Sequence, residues 1–300
     1  MKGIERPIFI IGAGRSGSTI FHRLLCGHPE VAWLPGALLN RFPGRVGLAR
    51  AVMRAVDYPL VGGVLERRLR PAECYPFWER LSRGFSSPCR DLVAGDLTEG
   101  SRQRIRSAAA QLLTKRRNRL LVKITGWPRI GFLSEVFDDA LFIHVVRDGR
   151  AVVNSLLEVD FWRGWEGPEN WRWGELSAAQ REEWERSGRS FVVLAAIQWR
   201  MLVDAVERAS APLGEGRFME IRYEDLCEDT AGVMKKVAGF CGLGWEGSFE
   251  RAVSRYRLRN TNGRYRENLT LRQQAELEAA LGGYLERYGY PTGGRARAPV

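Results

Sequence analysis

Hydroxyl side chains, glycines and one arginine share a short segment near the start of the chain. Residues 12–19 read Gly-Ala-Gly-Arg-Ser-Gly-Ser-Thr. The apolar run 8–11 before them has the length of a strand, and a helical pattern follows them through Leu25. Backbone N–H groups of such a glycine turn, together with a helix N-terminus, bind anionic oxygens. The segment therefore predicts a phosphate-binding loop between a strand and a helix.

This loop differs from the loop of an ATPase. When Gly12 and Gly17 are aligned with the glycines of G-x-x-x-x-G-K-[ST], Thr19 takes the hydroxyl position, but Ser18 stands where the lysine belongs. Arg15 is the only cation in the loop. A ligand with a single phosphate at this end fits better than a triphosphate. An ordinary glycine turn is the alternative interpretation.

A second segment, 141–155, repeats this arrangement. A buried apolar strand leads to Arg147, and Asp148 then starts a helix that carries Ser155. The arginine and the serine can converge on one anion. If Asp148 were a magnesium ligand, the segment would indicate an NTPase. A carboxylate is, however, also expected at this position as a helix cap. Two separate anion sites suggest a nucleotide with phosphates at both ends of its ribose.

Composition places the chain among globular proteins. It has 300 residues, 45% of them apolar and 27% charged, and no apolar run long enough to span a bilayer. Five cysteines without a C-x-x-C pair indicate thiols in a cytoplasmic protein, and three histidines lack metal-ligand spacing. The net charge of +11 comes from scattered arginines. We therefore expect solvated basic faces and no nucleic-acid partner, and the sequence leaves homodimer formation open.

Strand-like and helical segments alternate, which predicts an α/β fold with a central parallel sheet of about five strands flanked by helices, similar to P-loop NTPases. The predicted strands are 8–11, 120–124, 141–146 and 217–222. The predicted helices are 18–26, 102–115, 150–157, 189–209, 230–241 and 271–287. One domain over residues 1–290, with the insertions described below, accommodates these elements. The last ten residues, 291–300, are expected to form a disordered tail.

Two long stretches, 36–99 and 159–188, are expected to be helical or irregular lid insertions at the carboxyl edge of the sheet. The second contains five of the ten tryptophans. They are Trp162, Trp165, Trp171, Trp173 and Trp184. These aromatic side chains either line an acceptor pocket or pack the insertion onto the rest of the protein.

The two anion-binding segments resemble the motifs of sulfotransferases that use 3′-phosphoadenosine 5′-phosphosulfate (PAPS), in the arginine form of bacterial and Golgi-type members. The resemblance assigns the 5′-phosphosulfate end of PAPS to Gly14, Arg15, Ser16, Gly17, Ser18 and Thr19. It assigns the 3′-phosphate to Arg147 and Ser155, and the adenine to Tyr223 in a Tyr-Glu-Asp-Leu segment. The family's C-terminal Arg-Lys-Gly is absent.

In its place, the resemblance leaves Arg257, Arg259 or Arg264 as cofactor-binding arginines. Lys123, at a strand end, matches the family's lysine that contacts the transferring sulfuryl group. Arg15, Lys123 and the loop amides could stabilise the charge that builds on the leaving 5′-phosphate oxygen without a metal ion. The resemblance thus implies sulfuryl transfer from PAPS to a hydroxyl or amine of a small-molecule, glycan or lipid acceptor, with release of PAP.

The family's motifs do not assign the catalytic base in this chain. Cytosolic family members place a histidine two residues after the lysine, where this chain has Thr125. The candidates here are Glu73 and, as the alternative, Asp96. Glu73 comes first because aromatic residues surround it in the sequence, and an apolar environment strengthens a carboxylate as a proton acceptor. An atypical P-loop kinase and a non-catalytic nucleotide-binding module are the alternative functions.

Overall fold

The computed structural model describes residues 4–58, 60–86 and 90–292. Most of the predicted tail, residues 293–300, lies outside the described residues. Among the helices that the structure describes, none combines the length and the hydropathy needed to cross a bilayer.

A five-stranded parallel sheet forms the centre of the fold and confirms the predicted architecture. Its strands are β1 (Ile8–Gly12), β2 (Val31–Trp33), β3 (Arg119–Thr125), β4 (Leu141–Val146) and β5 (Phe218–Arg222). They are arranged in the order β2-β3-β1-β4-β5. The sequence did not predict β2, because three residues are too few to show a periodicity.

Both faces of the sheet are buried, which explains why the strands are continuous apolar runs. Phe9 and Ile11 of β1 pack into one hydrophobic cluster, and Ile8 and Ile10 pack into another. Successive side chains of a strand point to opposite faces, so each cluster covers one face. A parallel sheet covered on both sides needs apolar residues at every position.

The helices of the described chain include a counterpart of each of the six predicted helices, together with helices that the sequence did not predict. They are α1 (Ser18–Cys26), α2 (Gly36–Leu39), α3 (Val46–Ala55), α4 (Gly62–Leu69), α5 (Tyr75–Leu81), α6 (Glu99–Leu112), α7 (Ile130–Val136), α8 (Gly149–Leu157), α9 (Ala178–Arg186), α10 (Phe191–Ser210), α11 (Tyr223–Glu228), α12 (Thr230–Cys241), α13 (Gly247–Ser254), α14 (Tyr265–Asn268) and α15 (Leu271–Arg287). The bounds predicted for α1, α12 and α15 agree with the structure.

The insertion 36–99 is mainly helical, since it carries α2 to α5. Glycines and prolines divide these helices into short pieces, so their periodicity is weak in the sequence. In the insertion 159–188, Trp162, Trp171 and Trp184 are buried. Their burial supports the packing interpretation for these three tryptophans.

Contacts divide the chain into two compact units. The first, which we call the sheet unit, comprises the described residues of 1–146 and 205–260. The second, the helical unit, comprises those of 147–204 and 261–300. A cluster that includes Trp171, Trp184 and Leu194 forms a core in the helical unit. The assignment of one domain to residues 1–290 stays a prediction.

Candidate functional site

The loop between β1 and α1 depends on glycine at two positions. Gly12 has a φ of 146°, and a Cβ atom there would lie 2.6 Å from the carbonyl oxygen of Val145. Gly17 has a φ of 85° and caps α1. L-residues with side chains rarely adopt these conformations. The backbone therefore takes the strand, glycine turn and helix arrangement that the sequence predicted for an anion-binding loop.

The side chains of this loop divide into buried and exposed groups. The Ser16 hydroxyl donates to the carbonyl oxygen of Ala13 at 2.7 Å, and both Ser16 and Ser18 are buried. Arg15 and Thr19 are exposed. Ser16 thus holds the turn together, whereas Arg15 and Thr19 are accessible to a ligand.

Tyr223 lies directly against the loop. A Cβ atom on Gly17 would come within 2.2 Å of Cδ2 in the Tyr223 ring. The Tyr223 hydroxyl donates to the carbonyl oxygen of Arg259 at 3.4 Å, and the Arg259 side chain is exposed. The sheet unit therefore brings together the loop, the tyrosine predicted to contact adenine and one of the C-terminal arginines.

Lys123 connects the loop to a carboxylate. It lies on β3, which pairs with β1 so that Ile10 is opposite Lys123. Its ammonium group donates to the Thr19 hydroxyl at 2.8 Å and lies 3.3 Å from Oε1 of Glu73. Only 6% of Lys123 is exposed. A buried cation needs such a counter-charge, and the Glu73 carboxylate provides it.

The segment that carries Glu73 is attached to the end of β3. The Thr125 hydroxyl donates to Oε1 of Glu73. The Tyr75 hydroxyl donates to the carbonyl oxygen of Thr125 at 2.6 Å and accepts from its N–H at 3.2 Å. Sequence reasoning missed these contacts, which place the Glu73 carboxylate beside Lys123 and Thr125.

Two neighbours of Glu73 are held in their protonated forms. Burial, and then the negative charge of Glu73, raise the pKa of Cys74 to about 12. The same two causes, in the same order, raise the pKa of Tyr75. The Tyr75 hydroxyl therefore keeps its proton and remains a hydrogen-bond donor at neutral pH.

Asp96, the alternative base, is engaged in a local turn. Its two carboxylate oxygens accept from the Arg90 guanidinium at 2.6 and 2.9 Å, and the N–H of Val93 donates to it at 2.9 Å. Hydrogen bonds from Arg90 and then from Val93 lower its pKa to about 2. A carboxylate stabilised in this way is a weak proton acceptor.

His22 is a buried neutral side chain on the same helix as Thr19. Burial, followed by the charges of Lys123 and Arg23, lowers its pKa to about 3. Neither ring nitrogen has a hydrogen-bond partner among the described residues. His22 therefore occupies a core position, where the neutral imidazole avoids the cost of burying a charge.

The predicted 3′-phosphate residues lie in the helical unit. The Arg147 guanidinium donates to the side-chain oxygen of Asn262 at 2.9 Å and to the Thr261 hydroxyl at 3.1 Å. Ser155 is half-buried on α8, and Arg264 is exposed. The Asn262 contact could not be located from the sequence, because it joins residues 115 positions apart.

Asp148 caps α8, as the capping interpretation predicted. Its carboxylate accepts from the N–H of Arg150 at 2.9 Å and lies 2.7 Å from the same residue's guanidinium. Within the described ranges, no group of three or more His, Cys, Asp and Glu residues is placed to hold a metal ion. Helix capping and ion pairing therefore account for this carboxylate.

We expect Gly17→Ala to destabilise the protein and to weaken PAP binding. An alanine at this φ costs about 1–2 kcal/mol, and its methyl group displaces the Tyr223 ring. Thermal unfolding and calorimetric titration with PAP would measure both effects, and we expect PAP affinity to fall at least about tenfold. Gly14→Ala is the control for stability, because open space surrounds Gly14. An unchanged melting temperature in Gly17→Ala would contradict this reading of the loop.

We also expect His22 to make stability depend on pH. Its folded-state pKa of about 3 lies below the ordinary 6.5, so its contribution is complete above pH 6.5 and is lost as the pH falls towards 3. Between neutral pH and about pH 5 the wild type should lose about 2 kcal/mol of unfolding free energy that His22→Leu does not lose. Urea unfolding at each pH measures the difference, and parallel curves for the two proteins would refute the assignment.

Comparisons with known proteins agree with this geometry. The profile of the sulfotransferase family matches residues 7–247. The omega-hydroxy-beta-dihydromenaquinone-9 sulfotransferase Stf3 of Mycobacterium bovis is 25% identical, over 95% of this chain and 76% of that protein. Carbohydrate sulfotransferase 1 of Danio rerio is 24% identical, over 85% of this chain and 66% of its own length.

Solved structures with the same fold are also sulfotransferases. Sulfotransferase STF9 from Mycobacterium avium has a TM-score of 0.57 at 20% identity, over 98% of this chain and 79% of that one. The sulfotransferase domain from the curacin biosynthetic pathway has a TM-score of 0.56 at 14% identity, over 97% of this chain and 100% of that one. Because the family profile covers most of its length, the chain belongs to the sulfotransferase family, whose members transfer a sulfuryl group from PAPS to a hydroxyl acceptor and release PAP.

Proposed function

We propose that the chain carries out sulfuryl transfer with Lys123 as the catalytic cation and Glu73 as the base. The contact of Lys123 with both Thr19 and Glu73 supports this proposal most directly. It joins the anion-binding loop to a carboxylate through one buried charge.

The glycine turn fits the 5′-phosphosulfate end of PAPS. The carbonyl oxygen of Val145 fills the space that a Cβ atom would need at Gly12, and the Tyr223 ring fills it at Gly17, which leaves a compact turn at the start of α1. Bound PAPS supplies an activated sulfuryl group. Exposed Arg15 and the N–H groups of the loop would hold the anionic end, as glycine turns at helix N-termini do.

Lys123 and Glu73 would have different roles in the transfer step. The Lys123 ammonium is almost fully buried, so its charge is weakly screened and would stabilise negative charge that grows near the loop during transfer. Glu73 is partly exposed and can accept the proton of an acceptor hydroxyl. The donated hydrogen bond from Thr125 would fix the orientation of the Glu73 carboxylate.

The 3′-phosphate of PAPS is proposed to bind Arg147 and Ser155. The resemblance of segment 141–155 to the family motif supports this role, and the Arg147 guanidinium is already oriented by Asn262 and Thr261. Tyr223 is proposed to contact adenine, with Arg259 and Arg264 as further cofactor-binding arginines.

We further propose a lipid-like alcohol as the acceptor. The Mycobacterium bovis relative is named for a menaquinone derivative, and its similarity extends over most of this chain. A cytoplasmic location also remains our proposal; the thiol state of Cys26, Cys74, Cys227 and Cys241 is compatible with it. Cys89 lies outside the described residues, and a homodimer stays a prediction.

Substitution of Arg147 tests the 3′-phosphate assignment. Charge-assisted hydrogen bonds to an ionised group contribute about 1.5–3 kcal/mol, so Arg147→Ala should weaken PAP binding roughly 10- to 100-fold. Binding of adenosine 5′-phosphate, which lacks the 3′-phosphate, should change little in the same variant. Arg163→Ala, which removes an exposed arginine of the helical unit, should bind both ligands normally. Equal losses for both ligands in Arg147→Ala would rule out the assignment.

The variants Glu73→Gln and Asp96→Asn form a matched test of the base. With PAPS already bound and geraniol as a probe alcohol, Glu73→Gln should slow single-turnover transfer about 10²-fold or more. Asp96→Asn should transfer at a rate close to that of the wild type, because Asp96 is committed to Arg90 and Val93. PAP titration of both variants controls for loss of folding. Near-normal transfer in Glu73→Gln would place the base elsewhere.

A further inference from the structure

Exposed apolar side chains are concentrated in one part of the sheet unit. Ten large hydrophobic residues of the described chain are exposed, and six of them fall between residues 42 and 64. These six are Phe42, Leu48, Tyr58, Leu60, Val61 and Val64. Single exposed apolar residues are ordinary, but a concentration in so short a stretch indicates a surface that binds something.

Four of these residues lie at the start of α4 or just before it. We call Tyr58, Leu60, Val61 and Val64 the apolar tip. Leu60 is 95% exposed. The Tyr58 carbonyl oxygen accepts from the N–H groups of Val61 and Gly62 at 3.2 and 2.8 Å, which joins Tyr58 to the first turn of α4.

The opposite sides of the two helices anchor them to the protein. Met53 of α3 and Val56 just after it are buried in the cluster that also contains Ile8 and Ile10. Leu65 and Leu69 of α4 pack against the same cluster. Because α3 and α4 pack their inner faces against the core, the exposed apolar tip is available for contacts outside the described chain.

The stretch of sequence that contains the apolar tip is rich in arginine. Residues 41–70, which we call the basic hairpin, contain seven arginines and two acidic residues, Asp57 and Glu66. The arginines are Arg41, Arg45, Arg50, Arg54, Arg67, Arg68 and Arg70. Asp57 is paired with Arg117 at 2.9 Å. None of the seven arginines forms an ion pair with a carboxylate that the structure describes.

We propose that the basic hairpin docks on the surface of an anionic lipid bilayer, with the apolar tip inserted among the headgroups. Apolar side chains bordered by arginines are typical of segments that lie in a membrane interface. Each arginine near an anionic surface adds to the attraction between the protein and the bilayer. A second copy of this chain is a poor occupant, because the seven arginines of one copy would face those of the other.

The basic hairpin leads directly to the candidate base. Arg70 follows α4, its carbonyl oxygen accepts from the N–H of Gly36 at 2.9 Å, and Glu73 comes three residues later. Docking would bring the acceptor's membrane close to the segment that carries Glu73. This consequence rests on the proposed function, whereas docking itself does not.

Vesicle sedimentation of the full chain without PAPS tests the proposal. The wild type should bind vesicles of phosphatidylcholine mixed with phosphatidylglycerol more tightly than vesicles of phosphatidylcholine alone. The double variant Leu60→Ser, Val64→Ser should bind the mixed vesicles at least about tenfold more weakly, since two apolar side chains no longer leave water. Leu271→Ser is the matched control, because Leu271 is 83% exposed in the helical unit. It should bind like the wild type.

Charge provides a second, independent comparison. Arg50→Gln combined with Arg54→Gln should weaken binding to the mixed vesicles about tenfold and leave binding to pure phosphatidylcholine unchanged. High salt should likewise weaken the binding of the wild type to the mixed vesicles. Transfer to geraniol in solution, without vesicles, should stay normal in all of these variants. A loss of vesicle binding alone thus separates docking from the chemistry of Glu73.

Three results would overturn the proposal. The first is a wild type that does not bind mixed vesicles. The second is an equal loss of binding in Leu271→Ser. The third is a dimer that becomes a monomer in the Leu60→Ser, Val64→Ser variant while vesicle binding persists, which would make the apolar tip a contact between copies of the chain.

Discussion

Parallel pairing of three strands sets the position of every group around the anion-binding loop. β1 lies between β3 and β4, and its register places Ile10 opposite Lys123 and Gly12 opposite Thr125. The chain must turn sharply at Gly12 because the carbonyl oxygen of Val145 occupies the space of a side chain. The same pairing that ends β1 in a glycine turn therefore delivers a lysine from the neighbouring strand to the first helix.

The charged groups beside the anion-binding loop are arranged around the buried ammonium group of Lys123. Lys123 has a carboxylate on one side and a hydroxyl on the other, and the nearby His22 is neutral. A second positive charge on His22 would repel Lys123 in a region of low dielectric constant. The protonated Tyr75 holds the Glu73 segment through Thr125 without adding charge. The Lys123 ammonium and the Glu73 carboxylate are thus in direct contact beside the loop.

The sequence was informative where a pattern is local. The apolar run of β1 and the glycines after it predicted the loop, and long amphipathic patterns predicted α12 and α15 within their observed bounds. Membership in the sulfotransferase family removes the kinase and the non-catalytic module as alternatives. The contact between Glu73 and Lys123 could not be predicted, because it joins residues 50 positions apart in the sequence. The hydrogen bonds that engage Asp96 with Arg90 and Val93 were likewise not visible in the sequence.

The burial of Cys74 has a consequence for chemical modification. Its thiol has a pKa of about 12 and is only 2% exposed, so almost no thiolate is present at neutral pH. Alkylating reagents and peroxides react with the thiolate, and they need access to the sulfur. The residue next to Glu73 is therefore resistant to oxidation and unsuited to covalent inhibitors, although its position in the sequence would make it an attractive target for labelling.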